Sequence, residues 1–286
     1  MFSRHRAILR ILENEGGQTN RLRLVKLAFM VSRQADAPRT GVYEFVPYRR
    51  GPFSFTLYHD LRALERDGWV MASEHDIWLT QGPGLETAFL DRNFVETIDR
   101  VSNRYREMPT WAVVDSVYSE YPWFTLNSES VQKRAVTRPK GALAVYTVGY
   151  EGIMVDSLLD TLLRAGVQRL IDVRCNPIAR RYGFHKSTLT RLCADVGIEY
   201  LHIPALGIPS AWRADLDDRD SYERLFERYE NEILPAQNAA VVQVGQLVQQ
   251  RPSALMCMEA DHTSCHRSRV ANVVSAQTGL AIKELR

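Results

Sequence analysis

Between residues 143 and 275 the chain alternates strictly. Short apolar runs at Leu143–Val148, Gln168–Val173, Glu199–Ile203 and Ala254–Met258 are separated by stretches with leucine or valine at helical spacing. Examples are Ser157–Ala165, Ser187–Val196, Tyr222–Leu234, Val241–Gln250 and His266–Ser275. A strand followed by a helix-length crossover and another strand favours a parallel sheet with helices on both faces. The expected architecture of residues 143–286 is therefore α/β, an open parallel-sheet, Rossmann-like domain.

The first half has a different texture. Helices are expected at His5–Glu15, stopped by Gly16-Gly17, after the Asn20 cap, and at Phe53–Arg66. Val42–Tyr48 reads as a strand before the turn Arg50-Gly51-Pro52, and Trp69-Val70-Met71 with Ile77-Trp78-Leu79 as a two-stranded wing. One long helix is expected from Phe94 to Tyr121. Helices followed by a hairpin define a winged-helix-like α+β domain over residues 1–125, joined by a polar linker, 126–142, to the α/β domain.

Composition places the chain among globular proteins: of 286 residues, 45% are hydrophobic and 24% charged. No run of about eighteen apolar residues exists, so no membrane partner is expected. Four scattered cysteines do not make a secreted disulfide framework, and the expected location is the cytoplasm. The formal net charge is only +2. Local charge is more telling: about twelve Lys/Arg against about six Asp/Glu between Arg4 and Arg66 suit contact with a polyanion. Arg23, Lys26, Arg49 and Arg50 are the candidate nucleic-acid contacts.

In an open α/β sheet, ligands bind beyond the carboxyl ends of the strands. The chemistry-bearing residues cluster there: Tyr150 and Glu151 after the first strand; Asp172, Arg174, Arg180, Arg181 and Lys186 after the second; His202 after the third; Glu259, Cys265, His266 and Arg267 after the fourth. Arginines and Lys186 suit phosphate oxygens, and a helix opening at Cys265 offers free N–H groups to an anion. Asp172 and Glu259 are the expected catalytic carboxylates, acting as a base or stabilising an oxocarbenium ion. Tyr150 and Tyr182 offer rings for base stacking. The bland alternatives are that Asp172 only pairs with an arginine, that Tyr150 is a core ring and that Cys257 is a buried small residue.

No cofactor is expected. Cys257, Glu259, Cys265 and His266 are zinc donors by type, but their spacing fits no standard structural site and adjacent Cys-His ligands are awkward. Cys265 is a second alternative, as a nucleophile at a helix start, although no Cys-x5-Arg spacing begins there.

Two resemblances accompany this reading. Gly149-Tyr150-Glu151-Gly152, Asp172-Val173-Arg174 with Pro177 and Arg181, Gly183-Phe184 with Lys186, Leu206-Gly207, and Cys257-x-Glu259 with Cys265-His266-Arg267 resemble the family of domain of unknown function 488, over about residues 144–280. Ala179 departs from the serine expected before the arginine pair. Val25–Phe29, Phe45–Ser54 and Val117–Pro122 resemble Panacea-type, antitoxin-associated winged-helix-like proteins, which implies recognition rather than catalysis. The resulting expectation is an enzyme that processes DNA, another nucleic acid or a nucleotide. The reaction expected is glycosylase-like hydrolysis of an N-glycosidic bond, in defence against foreign or modified DNA. The rivals are a phosphodiesterase using a divalent metal on Asp172 and Glu259, a non-enzymatic nucleotide-sensing regulator, and a toxin–antitoxin-like interaction protein.

Overall fold

The computed structural model describes residues 2–35, 42–80, 90–213 and 219–285. The chain divides into two compact units, Met1–Thr137 and Arg138–Arg286.

The N-terminal unit runs α1 (Ser3–Asn14), β1 (Gln18–Asn20), α2 (Arg21–Gln34), β2 (Val46–Tyr48), β3 (Gly51–Phe53), α3 (Phe55–Arg66), β4 (Val70–Ala72), β5 (Asp76–Leu79), α4 (Arg92–Tyr105) and α5 (Thr110–Glu120). Side-chain caps start three of the helices: Asn20 accepts from the Arg23 N–H at 2.7 Å, Ser54 from Leu57 at 3.1 Å and Asp91 from Phe94 at 3.2 Å. β4 and β5 form the expected hairpin, and β1 adds to it in the order β1-β5-β4. The single long helix expected from Phe94 to Tyr121 is two helices, because Pro109 lacks an N–H and disfavours helical backbone at Met108.

The C-terminal unit runs β6 (Val145–Gly149), α6 (Val155–Arg164), β7 (Arg169–Asp172), α7 (Lys186–Asp195), β8 (Glu199–His202), α8 (Arg219–Arg228), a π-turn at Tyr229–Ile233, α9 (Leu234–Ala236), α10 (Asn238–Gln250), β9 (Ser253–Cys257), α11 (His266–Thr278) and β10 (Ile282–Leu285). All five strands are parallel, in the order β10-β6-β9-β7-β8. The parallel sheet matches expectation. Its order is not the dinucleotide-binding one, since the unit's fourth strand sits between its first and second. The central strands β7 and β9 are buried along their whole length, as two-sided coverage requires. β10 was not expected: Ile-Lys-Glu-Leu is half polar because it is an edge strand with exposed residues.

The register decides which side chains share a face. Asp172 pairs with Met256, and side chains alternate along a strand. Ile171, Val173, Leu255 and Cys257 therefore point to the face where α10 and α11 pack, and they belong to one core with Val244, Val248, Val270 and Val274. Asp172 points to the opposite face.

The expected linker is narrower than 126–142. Ser128 is buried and its carbonyl accepts from Arg134 at 2.6 Å, while the Ala135 N–H donates to Thr125 Oγ1 at 2.8 Å. On the other side, Arg138 donates to the Val196 carbonyl at 3.1 Å. Only Val136 and Thr137 lie between these two sets of bonds. Limited trypsin digestion is expected to cut first between residues 133 and 141, leaving two stable fragments. First cleavage within 150–280 contradicts the boundary.

Candidate active site at the carboxyl edge of the parallel sheet

The loops after β6, β7 and β9 interlock at one edge of the sheet. The Tyr150 and Glu151 N–H groups donate to the Met258 carbonyl at 3.0 and 2.8 Å, and the Ala260 N–H donates to Glu151 Oε2 at 3.0 Å. Gly149 permits this contact: a Cβ there would collide with the Glu259 carbonyl. Gly207 plays the same part for the β7–α7 loop, where a Cβ would strike the backbone of Cys175. The motif glycines thus serve close backbone approach.

On the Asp172 face the site is a closed lock. Asp172 is fully buried. Arg174 Nε donates to Asp172 Oδ1 at 2.9 Å and Arg174 Nη2 to Oδ2 at 2.6 Å, while the Tyr200 hydroxyl donates to Oδ2 at 2.6 Å. Arg174 also donates to the Tyr150 hydroxyl at 2.9 Å and the Phe184 carbonyl at 3.0 Å. Burial alone would lower the Arg174 pKa; Asp172 outweighs it and raises the pKa well above the usual arginine value. The Tyr150 ring is buried and stacks on Phe184 at 4.2 Å between centroids. Tyr150 and Arg174, expected on the ligand, are interior parts of this lock. His202 accepts at Nδ1 from Lys186 Nζ at 3.2 Å and donates from Nε2 to the Arg174 carbonyl at 2.9 Å.

The second carboxylate is on the other side of the sheet. Glu259 Oε2 accepts from the Cys257 thiol at 3.1 Å and the Cys265 thiol at 2.9 Å. Burial pushes the Glu259 pKa up, but hydrogen bonds from Cys265, its own backbone N–H and Cys257 outweigh that and hold it below the usual glutamate value. Cys265 is the residue before α11, and His266 is the first residue of that helix. His266 Nε2 donates to the Val173 carbonyl at 3.1 Å, and Nδ1 lies 3.6 Å from Cys257 Sγ. A cavity of about 190 Å³ opens here, lined by Glu259, Ser264 and His266 with Ile208, Tyr222, Leu225 and Phe226. Glu259 and His266 follow β9, and His266 reaches the end of β7; these two adjacent strands are where the connections diverge, the place where open sheets bind ligands.

Asp172 lies in the lock with Arg174 and Tyr200, whereas Glu259, beyond the end of β9, accepts from the two thiols and lines the cavity, so the two expected carboxylates are held by different partners. The metal-dependent rival would need both carboxylates on one ion, which this placement does not favour. Arg267 is also interior: it is fully buried and donates to the Glu259 and Ala260 carbonyls at 2.5 and 3.1 Å. Burial pushes the Cys265 thiol pKa up, the opposite direction from that of an activated nucleophile. Of the cations expected to hold phosphate, Arg180 and Arg181 on the β7–α7 loop and Lys186 at the start of α7 are exposed. Sequence reasoning missed Tyr200, which nothing but proximity marks, and the Cys175–Arg181 pair, which does have Cys-x5-Arg spacing. In that loop the helix begins at Lys186 rather than at the arginine.

In the N-terminal unit, Arg23 and Lys26 are interior rather than DNA-facing. Arg23 pairs with Glu15 and donates to the Met108 and Tyr105 carbonyls at 2.6 and 2.8 Å. Lys26 Nζ donates to the Arg50 and Pro52 carbonyls at 2.5 and 3.0 Å, bracing the β2–β3 turn. Arg49 and Arg50 are exposed on that turn, at the rim of a cavity of about 520 Å³ that Arg21, His75, Tyr48 and Tyr58 also line.

Burial, helped by the nearby Arg50 charge, lowers the Lys26 pKa from 10.5 to about 7. The unfolded chain then binds more protons than the folded one between pH 7 and about 10. Urea midpoints of the N-terminal unit are expected to rise from pH 7 to pH 9.5, and Lys26→Met to flatten that slope. A midpoint that falls over this range contradicts it.

The fold and site define an α/β domain whose loops build a carboxylate-bearing cavity at the carboxyl edge of a parallel sheet. Residues 154–274 match the family model described as Domain of unknown function DUF488, which supports the resemblance carried by the C-terminal motifs. Among curated proteins and among solved structures, nothing matches the chain. No helix among the described residues is long and apolar enough to cross a membrane.

Proposed function

We propose that the protein is a nucleic-acid- or nucleotide-processing hydrolase, cleaving an N-glycosidic bond at the Glu259 cavity. The observation that carries this reading is Glu259 itself: a carboxylate at the carboxyl edge of the sheet that lines a cavity, where it accepts from the Cys265 thiol. A fixed negative charge beside the sugar stabilises a developing oxocarbenium ion. The exposed Arg180, Arg181 and Lys186 supply charge for a phosphate. Asp172 then acts on position only, by holding Arg174 and the β7–α7 loop.

The N-terminal unit fits a nucleic-acid reader. The order α1, β1, α2, α3, β4, β5, with the β2–β3 hairpin inserted between α2 and α3, supports a winged-helix reading, and Arg49 and Arg50 stand exposed on the inserted turn. Its basic, tyrosine-lined cavity favours a second reading, a nucleotide-sensing regulator without turnover. Incubation with plain and base-modified DNA, followed by mass spectrometry, separates the two. Free base is expected. Free nucleotide indicates phosphodiester cleavage instead, and tight binding with no product selects the sensor.

A further inference from the structure

We propose that Cys257, Cys265 and His266 form a three-donor site for a borderline-soft divalent transition metal, zinc by donor type, with a fourth position beside the Glu259 carboxylate. The two sulfurs and the ring nitrogen all lie within 4.8 Å of one another, and all three residues are buried. With Zn–S near 2.3 Å and Zn–N near 2.0–2.1 Å, a tetrahedron requires an S···N edge of about 3.6 Å. Cys257 Sγ and His266 Nδ1 are 3.6 Å apart.

The imidazole is already oriented for this task. The Val173 carbonyl can only accept, so Nε2 carries a proton and Nδ1, on the sulfur side, is the nitrogen placed to ligate. A backbone carbonyl on the far nitrogen is the usual way a ligating histidine is held. Adjacency of Cys265 and His266 is no obstacle, because Cys265 is the extended residue before α11 and His266 the first helical one, so their side chains leave the backbone in different directions yet meet Cys257 at the end of β9. Glu259 Oε2, close to both sulfurs, stands at the remaining position and lines the cavity. The site rests on donor geometry alone and holds whichever bond the enzyme cuts.

The test is a titration of the full-length protein, stripped of metal and kept reduced, with Co(II). One equivalent is expected to bind, with thiolate-to-cobalt absorption and the intense visible bands of a tetrahedral ion, and Zn(II) is expected to displace it. Cys265→Ser and His266→Ala are each expected to weaken uptake at least about 100-fold, whereas Cys175→Ser, outside the cluster, leaves it unchanged. If either cluster variant fails to fold, X-ray absorption of the Zn-loaded wild type decides, with two sulfur and at least one nitrogen donor expected. The proposal is overturned by absent uptake with all four thiols reduced, by equal uptake in Cys265→Ser, or by a shell of nitrogen and oxygen only. None of these readouts depends on turnover, so a failed glycosidase reading leaves the outcome legible.

Discussion

Glu259→Gln is expected to fold as the wild type does and to lose about 10²–10⁴-fold in turnover. Glutamine preserves the shape and leaves a carbonyl oxygen to accept from Cys257 or Cys265, now at 3.1 and 2.9 Å from the carboxylate. Only the charge disappears, and the charge is what the developing cation needs. Substrate affinity should persist, because Arg180, Arg181 and Lys186 belong to a different segment, the β7–α7 loop and the first residue of α7. The effect therefore belongs in kcat, with KM nearly unchanged. Measurement of both constants on the substrate that releases free base checks this. A variant that keeps full kcat removes Glu259 from the chemistry.

Asp172→Ala is expected to act on stability, by about 3–5 kcal/mol. Asp172 supplies both oxygens that neutralise Arg174 and accepts from Tyr200, all inside the unit. Its removal strands an arginine side chain that is only 6% exposed. Domain stabilities are about 5–15 kcal/mol, so this loss takes much of the margin. The denaturation midpoint of the C-terminal unit should fall sharply, and protein yield with it. Asp172→Asn keeps one acceptor and should fall between the two. An Asp172→Asn protein with wild-type stability and no activity assigns Asp172 to the reaction instead of the scaffold.

These two carboxylates look alike in the sequence. Each ends an apolar run and each is followed by arginine or histidine, so motif reading gave them one role. What separates them is register: Asp172 stands opposite Met256, one residue away from the Cys257 face. A difference of one position in a strand exchanges the two sides of a sheet.

Composition and periodicity by themselves determined the alternation of strand and helix, the parallel sheet, the division into two units and the gathering of motifs at the carboxyl ends of strands. These depend on local spacing, which the chain carries openly. Helical spacing on both sides of Pro109 read as one helix, and the missing N–H at Pro109 breaks it into α4 and α5. The edge strand β10 was not legible, because an exposed edge needs no apolar run. Nor could local pattern tell exposed from buried arginines: Arg180 and Arg181 face solvent, whereas Arg23, Arg174 and Arg267 hold interior carboxylates and carbonyls. Burial of a charge depends on partners distant in sequence. The convergence of Cys257, Cys265 and His266 has the same origin. Their spacing matches no standard pattern, and only the placing of α11 against the end of β9 brings three donors to one point.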